Sequence, residues 1–149
     1  MLVIGSDHGG LELKKAIKEF IEQNGGEVED LGTVNADSVD YPDFGEKVAR
    51  AVSEGRAERG VLICGTGIGM SIVANKFIGV RAALVTDDYM ARMAKEHNNA
   101  NVLVLGGRVL TRERACDMVD AWLGAEYEGG RHQQRLDKIA SIEKEIRVK

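Results

Sequence analysis

A cysteine that runs into a glycine-rich turn can set a thiol beside free backbone N–H groups. That arrangement suits proton transfer or nucleophilic attack next to a developing negative charge. The stretch Ile63-Cys64-Gly65-Thr66-Gly67-Ile68-Gly69-Met70-Ser71 has this form. The apolar run Gly60-Val-Leu-Ile leads into it, and a helix-like run from Met70 to Phe77 follows. The reading is a buried strand that delivers Cys64 to its C-terminal tip, where open α/β sheets bind ligands. The dinucleotide fingerprint fails, since Gly65 and Gly67 fit but Met70 stands where the third glycine belongs. No Gly-Lys-Ser/Thr follows, which excludes a P-loop. Taken alone, the glycines also fit a tight turn that needs them only for backbone shape. Taken alone, Cys64 also fits a small buried hydrophobe. Cys116 falls within a helical run and reads as structural.

Three further groups carry chemistry. Gly5-Ser6-Asp7-His8-Gly9-Gly10 follows the first apolar run, and an Asp-His pair there can bind sugar hydroxyls or phosphate. The plainer reading is a helix cap by Ser6 or Asp7. His97-Asn98-Asn99 closes a helical run, where His and Asn are favoured as terminators, yet a histidine is also a ready general acid. Arg131 and Arg135 are four residues apart, so on a helix they share a face and two guanidinium forks can grip a phosphate. A solvated basic face is the alternative.

The elements that must position these groups alternate regularly. Strands are expected at Leu2–Ile4, Val28–Leu31, Gly60–Cys64, Arg81–Thr86 and Asn101–Gly106. Leu13, Ile17, Phe20 and Ile21 recur at helical spacing until Asn24-Gly25-Gly26 ends that run. A second helix opens at Asp40-Tyr41-Pro42, a third covers Ser71–Phe77, a fourth runs from Asp88 to Glu96, and Thr111 caps a fifth. Five apolar strands separated by helices predict a parallel sheet covered on both faces: a three-layer αβα Rossmann-like fold. After Gly124 the pattern changes. Residues 131–149 read as an appended C-terminal helix whose stripe of Leu136, Ile139, Ile142 and Ile146 must bury itself, on a partner subunit in the favoured reading.

Composition narrows the class. At 149 residues the chain reads as a single domain, residues 1–149, with 44% hydrophobic and 30% charged residues, ordinary for a globular protein. A net charge of −4 speaks against general nucleic-acid binding, and no run approaches the roughly 20 apolar residues of a membrane span. No basic region precedes the N-terminal apolar run, so no signal peptide is expected. Two cysteines far apart make no metal spacing, and a cytoplasmic, reduced protein follows.

The motifs gain force in combination. Gly-Ser-Asp-His-Gly-Gly, Val-Asp-Tyr-Pro-Asp-Phe, Ile-Cys-Gly-Thr-Gly-Ile-Gly-Met-Ser-Ile, Asn-Lys-Phe-x-Gly-Val-Arg-Ala, Glu-His-Asn-Asn-Ala-Asn and Gly-Gly-Arg-His-Gln-Gln-Arg occur in that order along essentially the whole chain. In this the chain closely resembles the type B ribose-5-phosphate isomerases, a family that also holds allose-6-phosphate isomerase and the galactose-6-phosphate isomerase subunits. The resemblance implies an aldose–ketose isomerase of the non-oxidative pentose phosphate pathway, interconverting ribose 5-phosphate and ribulose 5-phosphate without metal or organic cofactor. It makes Cys64 the base that moves a proton between C2 and C1 through an enediolate. Gly65, Thr66, Gly67, Ile68 and Gly69 then hold the enediolate, with Thr66 at the reacting end, and His97 opens the furanose ring. Asp7, His8, Asn98 and Arg108 bind substrate, and Arg131 and Arg135 hold the phosphate. Family members are dimers or dimers of dimers with active sites shared between subunits. Some relatives lack the cysteine or the histidine; this chain has both. The alternatives are an isomerase for allose or galactose 6-phosphate, a non-catalytic sugar-phosphate-binding domain, and a cysteine enzyme with a covalent intermediate. The last lacks the arginine that would close a cysteine-phosphatase loop.

Overall fold

Five apolar segments pair into one sheet in the computed structural model, which describes residues 1–148. They are β1 (Leu2–Ser6), β2 (Val28–Asp30), β3 (Arg59–Cys64), β4 (Ala82–Leu84) and β5 (Val102–Gly106). All neighbours run parallel, in the order β2-β1-β3-β5-β4. β1 and β5 are buried throughout, as is β3 from Gly60 onward. A parallel sheet covered on both faces requires such near-continuous apolar strands.

The helices are α1 (Leu11–Gln23), α2 (Tyr41–Ser53), α3 (Ile68–Ala74), α4 (Asp88–Glu96), α5 (Arg112–Gly124) and α6 (Arg131–Arg147). Ile17 and Ile21 of α1, Ala91 and Ala94 of α4, and Met118 and Trp122 of α5 pack on one face of the sheet. Val48 and Val52 of α2, with Met70 and Ala74 of α3, pack on the other. The expected three-layer α/β fold is the observed one.

Boundaries differ where local hydrogen bonds override the apolar pattern. β1 continues past Gly5 because the Ser6 N–H donates to the Gly32 carbonyl and the Thr33 N–H to the Ser6 carbonyl, both at 2.8 Å. A one-turn 3-10 helix, His8–Gly10, then precedes α1. α3 starts at Ile68, not Ser71, because Gly67 takes a left-handed φ of 83° and turns the chain straight from strand to helix. It ends at Ala74, short of Phe77, where the Asn75 side chain bridges to both backbone polar groups of Ala82. β4 is shorter than Arg81–Thr86 because the Arg81 N–H is diverted to the Asn101 side chain at 2.8 Å. Thr111 caps α5 as expected, accepting from the Arg114 N–H. The expected helical end at Lys149 lies outside the described residues.

Two features of the packing bear on function. Lys14 is buried, and its Nζ donates to Asp30 Oδ1 at 2.7 Å and to the Thr33 carbonyl. Asp30 Oδ1 also accepts from the Gly32 N–H, so this group pins the segment that pairs with the end of β1. On α6, only Leu136 of the expected stripe is buried; Ile139, Ile142 and Ile146 are each more than half exposed within one chain.

Candidate active site

Three central strands end side by side, and each contributes a functional side chain just beyond its last residue. β1 leads to Asp7, β3 ends on Cys64, and β5 leads to Arg108. The ends are laced together: the Asp7 N–H donates to the Ile63 carbonyl at 3.3 Å, Gly107 N–H to Cys64 at 2.8 Å, and Arg108 N–H to Gly65 at 2.9 Å. The chain leaves β1 toward β2 on one side, while β3 lies on the other. The carboxyl ends of β1 and β3 therefore flank a topological switch point, where open α/β sheets form their ligand crevice.

A hollow of about 460 Å³ opens there. Asp7, Cys64, Gly65, Thr66, Ile68, Gly69 and Arg108 line it, together with Tyr41 and Ile72. Cys64 is 5% exposed and packs into the core on the α2/α3 face. The Arg108 guanidinium lies over Gly65, its Nη1 only 3.4 Å from where a β-carbon would stand. The Thr66 hydroxyl accepts from the Ile68 N–H at 3.2 Å. The first turn of α3 leaves the Gly69 and Met70 N–H groups without intrahelical carbonyls. The hollow thus joins a thiol, freed amides and a nearby cation, a set that can move a proton and stabilise an oxyanion.

Asp7 serves structure as well. One of its carboxylate oxygens accepts from the Gly10 N–H at 3.1 Å, so the cap reading holds beside the binding one. His8 does not line the hollow; its Nδ1 accepts from the Val39 N–H at 3.2 Å and ties down the loop before α2. Tyr41 was not anticipated. Its ring lies so close to Gly69 that a β-carbon there would stand 2.4 Å from the ring carbons. Gly69→Ala is therefore expected to force the ring aside, at a cost of about 1 kcal/mol or less because the clash falls on the outer end of a side chain that is 37% exposed. Urea unfolding reads this directly, and wild-type stability would show that the ring is not held.

The remaining expected residues gather elsewhere. His97 terminates α4, and Asn99 follows in a left-handed turn with φ 46°. The Arg81 Nε donates to the Asn99 carbonyl, and the Asn101 carbonyl accepts from the Gly60 N–H, which places this corner beside the beginnings of β3, β4 and β5. Asn98 lines a separate cavity of about 560 Å³ between β4, α4 and α6, with Leu84, Met90 and Leu136. The segment after α5 returns to the same corner, where the Glu128 N–H donates to the Glu96 carbonyl at 3.0 Å. Arg131 and Arg135 are exposed there on the first turns of α6. Cys64 and His97 thus belong to opposite edges of one sheet, separated along β3 by roughly 16 Å at about 3.3 Å per residue. One chain does not bring them together.

His132, between the two arginines, also escaped the sequence reading. Its ring stacks on His97 with centroids 4.1 Å apart and planes 14° apart. Glu128 Oε1 lies 3.4 Å from His97 Nε2 and 3.7 Å from His132 Nε2. The signal was the four-residue spacing of Glu128 and His132 across a glycine pair. These three residues offer ligand atoms within 4.8 Å of one another. Stacked rings do not aim their lone pairs at one point, and Arg131 and Arg135 act on His132 with the wrong charge for a cation. The cluster is better built to handle protons than a metal.

Fold and hollow define an α/β protein with a ligand crevice at the carboxyl edge of a parallel sheet. The chain belongs to the ribose/galactose isomerase family, whose model matches residues 2–139, and is an aldose–ketose isomerase. It is similar to ribose-5-phosphate isomerase B of Escherichia coli (strain K12), 49% identical over 142 residues, 95% of each chain. Its fold matches the solved structure of Clostridium thermocellum ribose-5-phosphate isomerase B with a TM-score of 0.95 and 56% identity, covering 97% of this chain and 98% of that one. It also matches ribose-5-phosphate isomerase B from Mycoplasma genitalium with bound ribulose-5-phosphate, at TM-score 0.93 and 47% identity over 97% and 96% of the two chains. No described helix is long and apolar enough to cross a membrane.

Proposed function

We propose that this chain interconverts D-ribose 5-phosphate and D-ribulose 5-phosphate in the non-oxidative pentose phosphate pathway, with Cys64 as the base and with each active site built from two copies of the chain. The observation that carries the reading is the hollow in which Cys64, the turn 65–69, Asp7 and Arg108 meet at the switch point of the sheet. Proton abstraction next to a carbonyl needs a base and a seat for negative charge in one place, and this hollow offers both.

In the proposed sequence, Asp7 binds the sugar together with Asn98 of the partner subunit, and His97 of the partner subunit protonates the ring oxygen to open the furanose. The Cys64 thiolate takes the proton from C2. The enediolate is held by backbone N–H groups of Gly65, Gly67 and Gly69, with Thr66 at the reacting end. The O2 hydroxyl proton passes to O1 and Cys64 returns its proton to C1, leaving the ketose. No atom is gained or lost. Arg131 and Arg135 of the partner subunit hold the phosphate, and Arg108 supplies further positive charge beside the thiol.

The placement of His97 and the arginine pair at the edge of the sheet opposite Cys64 favours a shared site. A second copy can bring its amino edge to the first copy's carboxyl edge. The exposed Ile139, Ile142 and Ile146 of α6 give such a partner an apolar surface to cover. Sedimentation at micromolar concentration tests the dimer; a strict monomer with full activity overturns it.

Incubation with ribose 5-phosphate and detection of ribulose 5-phosphate tests the reaction. Absence of turnover beside robust turnover of allose 6-phosphate would reassign the sugar, and turnover of neither would favour a binding domain. Arg135→Ala is expected to raise KM about ten- to hundredfold through loss of one charge-assisted phosphate contact, worth about 1.5–3 kcal/mol, with kcat little changed. An unchanged KM removes Arg135 from the phosphate site.

A further inference from the structure

The glycine pair Gly129-Gly130, with φ 66° and 56°, turns the chain from Glu128 directly into α6. That turn sets His132 one helical turn beyond Glu128 and lays its ring on His97. The Glu128 backbone is anchored independently, through its N–H to the Glu96 carbonyl at the end of α4. One carboxylate oxygen therefore stands within ion-pair reach of Nε2 on both imidazoles, on a backbone fixed to the residue just before His97.

We propose that Glu128 is the positioning residue for His97: it fixes the imidazole orientation and tautomer, while His132 clamps the ring by stacking. This rests on the reading of His97 as the ring-opening acid. With Nε2 3.4 Å from the carboxylate oxygen, Nδ1 is left to deliver a proton to the ring oxygen of the sugar and to recover one afterwards. A histidine oriented by a neighbouring carboxylate is a recurrent solution for proton transfer, because the carboxylate stabilises the imidazolium without taking its proton. The two rings do not compete for charge. Burial, with positive charge on His97 and Arg131 nearby, pushes His132 below the usual imidazole range despite Glu128, so His132 serves as a neutral platform. Arg135 acts on His132 in the same sense. Glu128 itself is half exposed, so its replacement leaves the core intact.

The experiment compares wild type with Glu128→Gln and Glu128→Asp. Long-range ¹H–¹⁵N spectra of the histidine side chains report the tautomer of His97 without reference to activity. Wild type is expected to hold the Nε2–H tautomer, and Glu128→Gln to lose that preference. In kinetics, Glu128→Gln is expected to lower kcat on ring-closed ribose 5-phosphate about tenfold, less than the roughly 10²–10⁴-fold of the acid itself because Glu128 acts through it. Turnover of an open-chain analogue, a four-carbon aldose 4-phosphate that cannot close a furanose, should be nearly unchanged, and Glu128→Asp should recover part of the loss. Identical His97 tautomers in wild type and Glu128→Gln, or equal losses on both sugars, overturn the proposal. If the tautomer responds as expected while wild type turns over neither sugar, the tethering stands and the isomerase reading falls.

Discussion

Replacing Cys64 by alanine is expected to lower kcat on ribose 5-phosphate by about 10²–10⁴-fold, the range a positioned proton-transfer group contributes. Binding of the sugar phosphate should change little. The substitution removes one sulfur from a residue that is already 5% exposed and leaves the walls of the hollow in place. Arg108 stays tied to the Gly65 carbonyl through its backbone, and Asp7 to that of Ile63. What disappears is the group that takes the proton from C2, an interaction realised only on the way to the enediolate. Such a loss falls on kcat rather than on ground-state binding. Initial rates set beside a calorimetric Kd for ribose 5-phosphate separate the two. Retention of full activity would remove Cys64 as the base, and a matched loss of affinity would make it a packing residue instead.

His97→Ala is expected to discriminate between the two substrates. Ribose 5-phosphate closes into a furanose, whereas an open-chain analogue such as a four-carbon aldose 4-phosphate has its C4 hydroxyl esterified and stays open. A residue that only opens the ring is needed for the first sugar alone. The variant should therefore lose about 10²–10⁴-fold in kcat on ribose 5-phosphate and far less on the open-chain analogue. Loss of the stacked ring also exposes His132, which is 7% exposed in the intact chain, so thermal unfolding should accompany the assay. Equal losses on both sugars with an unchanged melting temperature would deny His97 the ring-opening role. Mixing His97→Ala with Cys64→Ala carries the shared-site reading further. A mixed dimer holds one site that keeps both residues, so two inactive variants should restore part of the activity when combined.

The two halves of the candidate site were legible to different degrees. Asp7, Cys64 and the glycine turn could be placed at one sheet edge from sequence because each directly follows an apolar strand, and parallel strands all end on the same side. His97 and Arg131 follow helices, and a helix that returns from a parallel strand ends at the opposite edge. Their membership in one site was visible only through the family resemblance. Tyr41 was read as a helix start beside Pro42, and nothing local to it shows that its ring covers Gly69, twenty-eight positions onward. The stripe on α6 was read correctly as apolar, but periodicity does not say what it covers, and within one chain only Leu136 is buried.

By itself the sequence determined the alternation of strands and helices, because apolar runs bounded by glycine, asparagine and capping residues are local signals with local physical causes. It also determined that a thiol ends a buried strand before a turn only glycine can make, with φ 83° at Gly67. Strand order was decided by tertiary structure alone, since β1, β3 and β5 are equally apolar and any could have lain at an edge. So was the meeting of Arg108 with Cys64, which depends on β5 pairing with β3 ahead of β4. The stack of His97 and His132 on Glu128 likewise arises only where α6 folds back on the end of α4, a contact between segments whose own patterns carry no trace of each other.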